Sequence, residues 1–155
     1  LPLRVTHNDT KINNVLFDEK TDKAICVIDL DTIMPGLALY DFGDSIRFGA
    51  STGAEDEKDL SKVEISLPMF AAFARGFLAS CGDELTAREK ELQPMGAKLM
   101  TLECGMRFLA DYLNGDKYFR VHRAGHNLDR ARTQFKLVRS MEEHWDEMTA
   151  VINSL

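Results

Sequence analysis

From Ser66 to the C terminus, apolar residues recur at helical spacing, and this long stretch confines the chain to a mainly α-helical architecture. Leu67, Phe70, Phe73, Ala74, Phe77 and Leu78 fall on one face of a helix predicted to start at an N-cap, Ser66, and to reach Cys81, where Gly82 closes it. Thr86 and Glu89 have capping-box spacing, and Pro94 is expected to end or kink the segment that they begin. A strong helix is predicted from Met95 to Leu113, with Leu99, Leu102, Met106, Leu109 and Leu113 on its core face and Asn114-Gly115 as its stop. Asn127 is expected to cap a last helix that runs nearly to Leu155 and buries Leu128, Ala131, Phe135, Val138, Trp145 and Ile152.

The first fifty residues differ. Asn14–Phe17 and Ala24–Ile28 are short, apolar and rich in β-branched residues, and the polar segment 18–23 separates them, so they read as a β-hairpin. Residues 32–54 are expected to be irregular, because Pro35, Gly36, Gly43, Gly49 and Gly53 interrupt them. The predicted fold class is mainly α with a small β-hairpin.

Composition narrows the function classes. A chain of 155 residues with 45% hydrophobic and 28% charged content suits one domain with a real core. A net charge of −6 argues against a nucleic-acid partner, and no apolar run is long enough to span a membrane. Cys26, Cys81 and Cys104 are odd in number and lack metal-ligand spacing, which points to reduced thiols and a cytoplasmic setting. The basic residues of 117–139 read as a solvated face, the alternative being an anion-attracting wall beside a phosphate site. The opening Leu1-Pro2-Leu3-Arg4 resembles neither a signal peptide nor a start, so the chain is expected to have been cut from a longer one.

One constellation carries chemistry. His7-Asn-Asp9-Thr-Lys11-Ile-Asn-Asn14 fits H-x-D-x-x-x-x-N, the catalytic-loop pattern of kinases. Phosphoryl transfer needs a carboxylate to orient the attacking hydroxyl, which suits Asp9, and a neutral oxygen ligand for Mg²⁺, which suits Asn14. Lys11 is placed to reach the transferred phosphate, and His7 to brace the loop. Twenty residues after Asp9, the second hairpin strand ends in Ile28-Asp29-Leu30-Asp31, and Asp29 is assigned as the main carboxylate ligand of the metal. Asp41-Phe42-Gly43 spells the protein-kinase metal motif, yet no strand precedes it. Asp41 is therefore expected to bind backbone N–H groups and steady the catalytic loop, the plainer alternative being an ordinary helix-start aspartate.

Residues Val5–Val15, Val27–Gly36 and Leu39–Arg47 closely resemble N-acetylhexosamine 1-kinases, of the aminoglycoside phosphotransferase and choline kinase class. The likeness continues through Glu103–Asp116 and Thr133–Val138. It implies the C-terminal lobe of a protein-kinase-like fold that uses ATP and Mg²⁺ to phosphorylate the anomeric hydroxyl of N-acetylglucosamine or N-acetylgalactosamine. It also implies sugar contacts at Arg107 and Tyr118, to which Asp31 and Asp44 are added for their proximity in sequence to the motifs.

No Gly-rich strand-turn-strand occurs in residues 1–155, so the resemblance implies that the nucleotide-binding N-lobe lies outside them. That lobe is the expected partner of the exposed hairpin and of the 33–39 stretch. Self-association and loss of activity are expected of the isolated chain. Two alternatives stay open: a choline, homoserine or aminoglycoside kinase with the same loop, and a non-catalytic binding module that kept the fold.

Overall fold

The computed structural model describes residues Leu1–Leu155 and contains six α-helices and two small antiparallel sheets. Strand β1 (Arg4–Thr6) pairs with β4 (Met34–Gly36), Val5 lying opposite Pro35. Between them in sequence, β2 (Val15–Phe17) and β3 (Ala24–Val27) form the expected hairpin, with a register irregularity at Leu16/Phe17. The Asp18 carboxylate accepts from the backbone N–H groups of Lys20 and Thr21, which shapes the polar turn. Pairing of β1 with β4 was not legible in the sequence, because three-residue strands show no alternation.

Helices α1 (Ala38–Gly49), α2 (Leu67–Cys81), α3 (Ala87–Glu91), α4 (Gln93–Leu113), α5 (His126–Glu143) and α6 (Trp145–Asn153) enclose one core. Phe42, Ile46, Phe70, Ala97, Leu137, Met141, Met148 and Ile152 meet there, with Phe42 edge-on to Phe70 and Phe77 at 5.8 and 5.4 Å. Ser66 caps α2, and Thr86 and Glu89 form both halves of a capping box on α3. No helix is long and apolar enough to cross a membrane.

Four expectations are corrected. The first concerns residues 32–54, which include α1. Its glycines are contact points between helices: a Cβ on Gly43 would fall on the Gly96 carbonyl, and one on Gly49 would lie 2.5 Å from the Phe73 ring. The second concerns the core face of α4, which carries Ala97, Thr101, Gly105 and Phe108, while Leu99, Met106 and Leu113 are exposed. A helix wedged between α1 and α5 needs small residues on its contact face, so its large apolar stripe turns outward. Third, Pro94 opens α4, in the first turn, where a missing N–H costs nothing. Fourth, the last helix is two. It starts after Gly125, which caps α5 at a φ of 70°, and it breaks at His144.

An ion pair fastens the N-terminal strand to this helical body. Arg4 grips Glu89 in two-pronged fashion, Nε to Oε1 at 2.7 Å and Nη2 to Oε2 at 2.9 Å. The Arg4 bond, against an opposing effect of burial, holds the Glu89 carboxyl at about 2, with further help from the Thr86 N–H and hydroxyl. A depressed folded-state value means that the stabilisation is complete above the ordinary value of 4.5 and is lost as pH falls toward about 2. Glu89→Gln is expected to lower stability by about 2 kcal/mol at pH 7, a loss tempered by solvent at Arg4. Urea denaturation should show the difference from the parent shrinking steadily below pH 4.5.

Candidate active site

The catalytic-loop motif spans the turn after β1 and the short 3-10 helix Ile12–Asn14. Asn8 has a φ of 63°, a left-handed conformation that short polar residues tolerate. This twist lets the next residue, Asp9, face back toward Lys11 and Asn14. Lys11 Nζ and Asn14 Nδ2 each lie 2.9 Å from Asp9 Oδ2, and Asn14 Nδ2 also donates to the Asp9 carbonyl at 2.9 Å. Partial burial raises the Asp9 carboxyl, but the bonds from Lys11 and Asn14 outweigh it and hold the group below its ordinary value. Asp9 is therefore a weak base and a firm hydrogen-bond acceptor, suited to orienting a hydroxyl.

Asp41, in the first turn of α1, accepts from the backbone N–H of His7 at 2.9 Å and of Asn8 at 2.8 Å, one on each carboxylate oxygen. Its carbonyl accepts from the hydroxyls of Thr10 and Ser45. Both carboxylate oxygens are thus committed to the loop backbone. His7 Nε2 lies 3.2 Å from the Ile28 carbonyl, and the Thr32 hydroxyl donates to the His7 carbonyl at 2.6 Å. These contacts tie the loop to the segment that carries Asp29.

Asp29 also adopts a left-handed φ, 63°, where β3 gives way to a 3-10 turn, Leu30–Thr32. The neighbouring Ile28 N–H donates to the Asn14 carbonyl at 2.9 Å, which sets the two segments side by side. With its Nδ2 spent on Asp9, Asn14 keeps its amide oxygen for a ligand, and the Asp29 side chain makes no cap bond. One amide and one carboxylate oxygen fit a hard cation that keeps waters and phosphate oxygens as its other ligands. No group of three His, Cys, Asp or Glu residues is spaced to hold a metal on its own.

A cleft of about 520 Å³ opens beside the loop. It brings Asp9 and Lys11 together with Asp44, Arg107 and Tyr118, residues up to 109 positions apart in the chain. His7 and Asn14 line a neighbouring cavity with Asp9 and Lys11, while Asp29, Asp31 and Asp41 lie outside the cleft wall. Arg107 sits over the Tyr118 and Phe119 rings at 5.8 and 5.4 Å.

Several residues of this site were missed in the sequence. Arg47 is buried at the cleft floor, 2.9 Å from Asp44 Oδ1 and 2.8 Å from Glu55 Oε1. Burial disfavours its charge, but nearby negative groups, Asp44 and Glu55 among them, more than restore it, so the guanidinium stays charged. Asp44 Oδ2 is buried with no partner in the chain. Burial also pushes the Cys104 thiol, at the same floor, up to about 11, which keeps it protonated and inert at neutral pH. His126 and Arg123 hold Asp56 at 3.0 and 3.2 Å, and so anchor the loop that delivers Glu55.

The other wall depends on Asp111, which accepts from the backbone N–H groups of Lys117, Tyr118 and Phe119 and from Asn127 Nδ2. Its burial is outweighed by these bonds, and the carboxyl lies below its ordinary value. An acid in the last turn of a helix opposes the helix dipole, and that misfit was the available sequence signal. Asn127 is not the expected cap: it lies inside the first turn of α5 and bridges Asp111 and Asp116.

A family model described as the phosphotransferase enzyme family (APH) matches residues 1–79, just over half of the 155. That span holds the catalytic-loop motif, Asp29, Asp41 and Asp44, and it ends before the Arg107–Tyr118 wall. With the match resting on the segment that builds the loop, the chain belongs to the phosphotransferase enzyme family, in which ATP-dependent transfer delivers a phosphoryl group to a small molecule.

Proposed function

We propose that residues 1–155 form the acceptor lobe of a kinase that phosphorylates the anomeric hydroxyl of an N-acetylhexosamine. The observation that carries this reading is the charge pairing of the cleft. Its four carboxylates are Asp9, Asp44, Glu55 and Glu103, against five cations, Lys11, Arg47, Arg107, Arg120 and Arg130. Each carboxylate already has a cationic partner: Asp9 has Lys11, Asp44 and Glu55 share Arg47, and Glu103 faces Arg107 at 3.7 Å. A choline, aminoglycoside or homoserine ammonium finds no free carboxylate there. A neutral polyhydroxy acceptor fits better, since it needs no unpaired carboxylate and can take bonds from exposed donors such as Arg107. The intact Asp9, Lys11 and Asn14 contacts likewise favour an enzyme over a binding module that kept only the fold.

In this reading Asp9 orients the attacking hydroxyl, and Lys11, at its side, offers positive charge to the transferred phosphoryl group. Arg107 and Tyr118 bound the sugar on one side, and the buried Asp44–Arg47 pair closes the floor beneath it. Asn14 and Asp29 are the residues that would hold Mg²⁺, which supplies charge neutralisation at the phosphates. The nucleotide lobe seats on the hairpin face, where every residue of β3 is exposed and Leu16, Phe17, Ile33 and Met34 add apolar surface.

The test is an acceptor screen on the full-length protein with ATP and Mg²⁺. The expected result is sugar 1-phosphate from N-acetylglucosamine or N-acetylgalactosamine, with kcat/KM at least about a hundredfold above that for choline, homoserine or an aminoglycoside. A preference for any cationic acceptor defeats the reading.

A further inference from the structure

The acceptor cleft does not end at Arg107. A second cavity of about 390 Å³ shares Asn8, Met100, Glu103 and Arg107 with it and is completed by Tyr40 of α1 and Leu99 of α4. Small-molecule sites start at about 300 Å³. At about 520 Å³ the first compartment already accommodates one sugar ring, so the second is room beyond what a monosaccharide needs.

The walls of the second compartment are of two kinds. Tyr40, Leu99 and Met100 give an apolar platform, and Leu99 stays 43% exposed although it is a large aliphatic residue on a helix whose small residues do the packing. Opposite in character, Glu103 and Arg107 stand at the junction as a half-exposed pair with a 3.7 Å separation. A pyranose ring presents that same combination, an apolar face of C–H bonds rimmed by hydroxyls that donate and accept. An alkyl chain would leave the charged pair unanswered, and a second cation would compete with Arg107 for Glu103.

We propose that this compartment is a second sugar subsite, so that the acceptor class extends to disaccharides with an N-acetylhexosamine at the reducing end. The proposal rests on the function proposed above. The reducing ring keeps its anomeric hydroxyl at Asp9, and the second ring, joined through another carbon, lies on Tyr40 and Leu99 beyond Arg107. Phosphoryl transfer is unchanged in its balance: the anomeric oxygen gains the phosphoryl group, ADP leaves, and the hydroxyl proton is released.

The experiment compares N-acetylglucosamine with N,N′-diacetylchitobiose and N-acetyllactosamine on the full-length protein, by calorimetric Kd and by kcat/KM for ATP-dependent phosphorylation. At least one disaccharide is expected to bind about tenfold more tightly than the monosaccharide. Leu99→Asp and Tyr40→Ala are expected to erase that gain and to leave kcat/KM for the monosaccharide within about twofold, because neither residue lines the first compartment. Monosaccharide turnover without a disaccharide advantage, or an advantage that survives both substitutions, overturns the subsite and leaves the proposed function standing. Failure to phosphorylate any N-acetylhexosamine overturns both.

Discussion

Asp9→Asn in the full-length protein is expected to lower kcat by about a thousandfold while acceptor Kd stays within a few-fold. The amide is nearly isosteric, so the cleft keeps its shape. What is lost is an anionic acceptor for the attacking hydroxyl: Lys11 and Asn14 both donate to Oδ2, so the amide oxygen takes that place, and an NH₂ group, which cannot accept, replaces Oδ1. The effect therefore falls on the transition state and not on binding. The parent pH profile supplies a second readout. Lys11 and Asn14 overcome the burial of the carboxyl and keep it below the ordinary value of 3.8, so no fall in kcat/KM from Asp9 protonation is expected above about pH 4. A variant with near-parental kcat, or a parent with an acidic limb near pH 6 that Asp9→Asn removes, would contradict the orienting role.

Asp41→Ala is expected to be the most damaging substitution outside the cleft, at about 3 kcal/mol of stability and about a hundredfold in kcat. It strands the backbone N–H groups of His7 and Asn8, both committed to its carboxylate. Asn8 keeps its side-chain bonds to Thr6 and Thr32 but loses its backbone anchor to α1, and Asp9 drifts relative to Lys11 and Asn14. The Mg²⁺ concentration for half-maximal rate should stay within about twofold in this variant, since both carboxylate oxygens already serve the loop. Asp29→Asn, which suits the left-handed φ of 63°, should do the opposite, raising the Mg²⁺ requirement more than about tenfold with little change in urea midpoint, because the exposed side chain makes no cap bond. If Asp41→Ala alone shifts the Mg²⁺ requirement, the two aspartates have been given each other's roles.

The parts of this site that the sequence made legible are those built from neighbours. Asp9, Lys11 and Asn14 meet because five residues of loop and a 3-10 turn can hardly place them elsewhere, so a short pattern suffices. The expectation that no strand precedes Asp41 fails, since β4 ends at Gly36; what marks Asp41 is its place in the first turn of α1, with both carboxylate oxygens on loop N–H groups, and that helix went unseen. That helix was hidden by its own glycines: Gly43 and Gly49 mimic turn signals, whereas their purpose is close approach to Gly96 and Phe73. The same physics misled the reading of α4, where periodic leucines and methionines mark the outer face and alanine, threonine and glycine mark the inner one. Arg47 and Glu55 were out of reach for another reason. Each acts through partners from other elements or across a chain turn, and one-dimensional spacing carries no record of such pairings.

The contact between Gly43 and Gly96 has a bearing on acceptor choice. The catalytic loop hangs from α1 by Asp41, and the far wall of the cleft, Glu103 and Arg107, rides on α4. Where the two helices meet, there is no side chain on either: a Cβ at Gly96 would lie 2.7 Å from the Leu39 carbonyl oxygen, just as one at Gly43 would strike Gly96. The gap between the Asp9 carboxylate and the opposite wall is therefore a main-chain dimension, set like the jaws of a fixed-width gauge. Exchanging lining residues can alter which substituents are tolerated around a ring, but the girth of the ring itself is held by two hydrogen atoms, and relatives that accept bulkier acceptors would be expected to carry their change at this glycine pair.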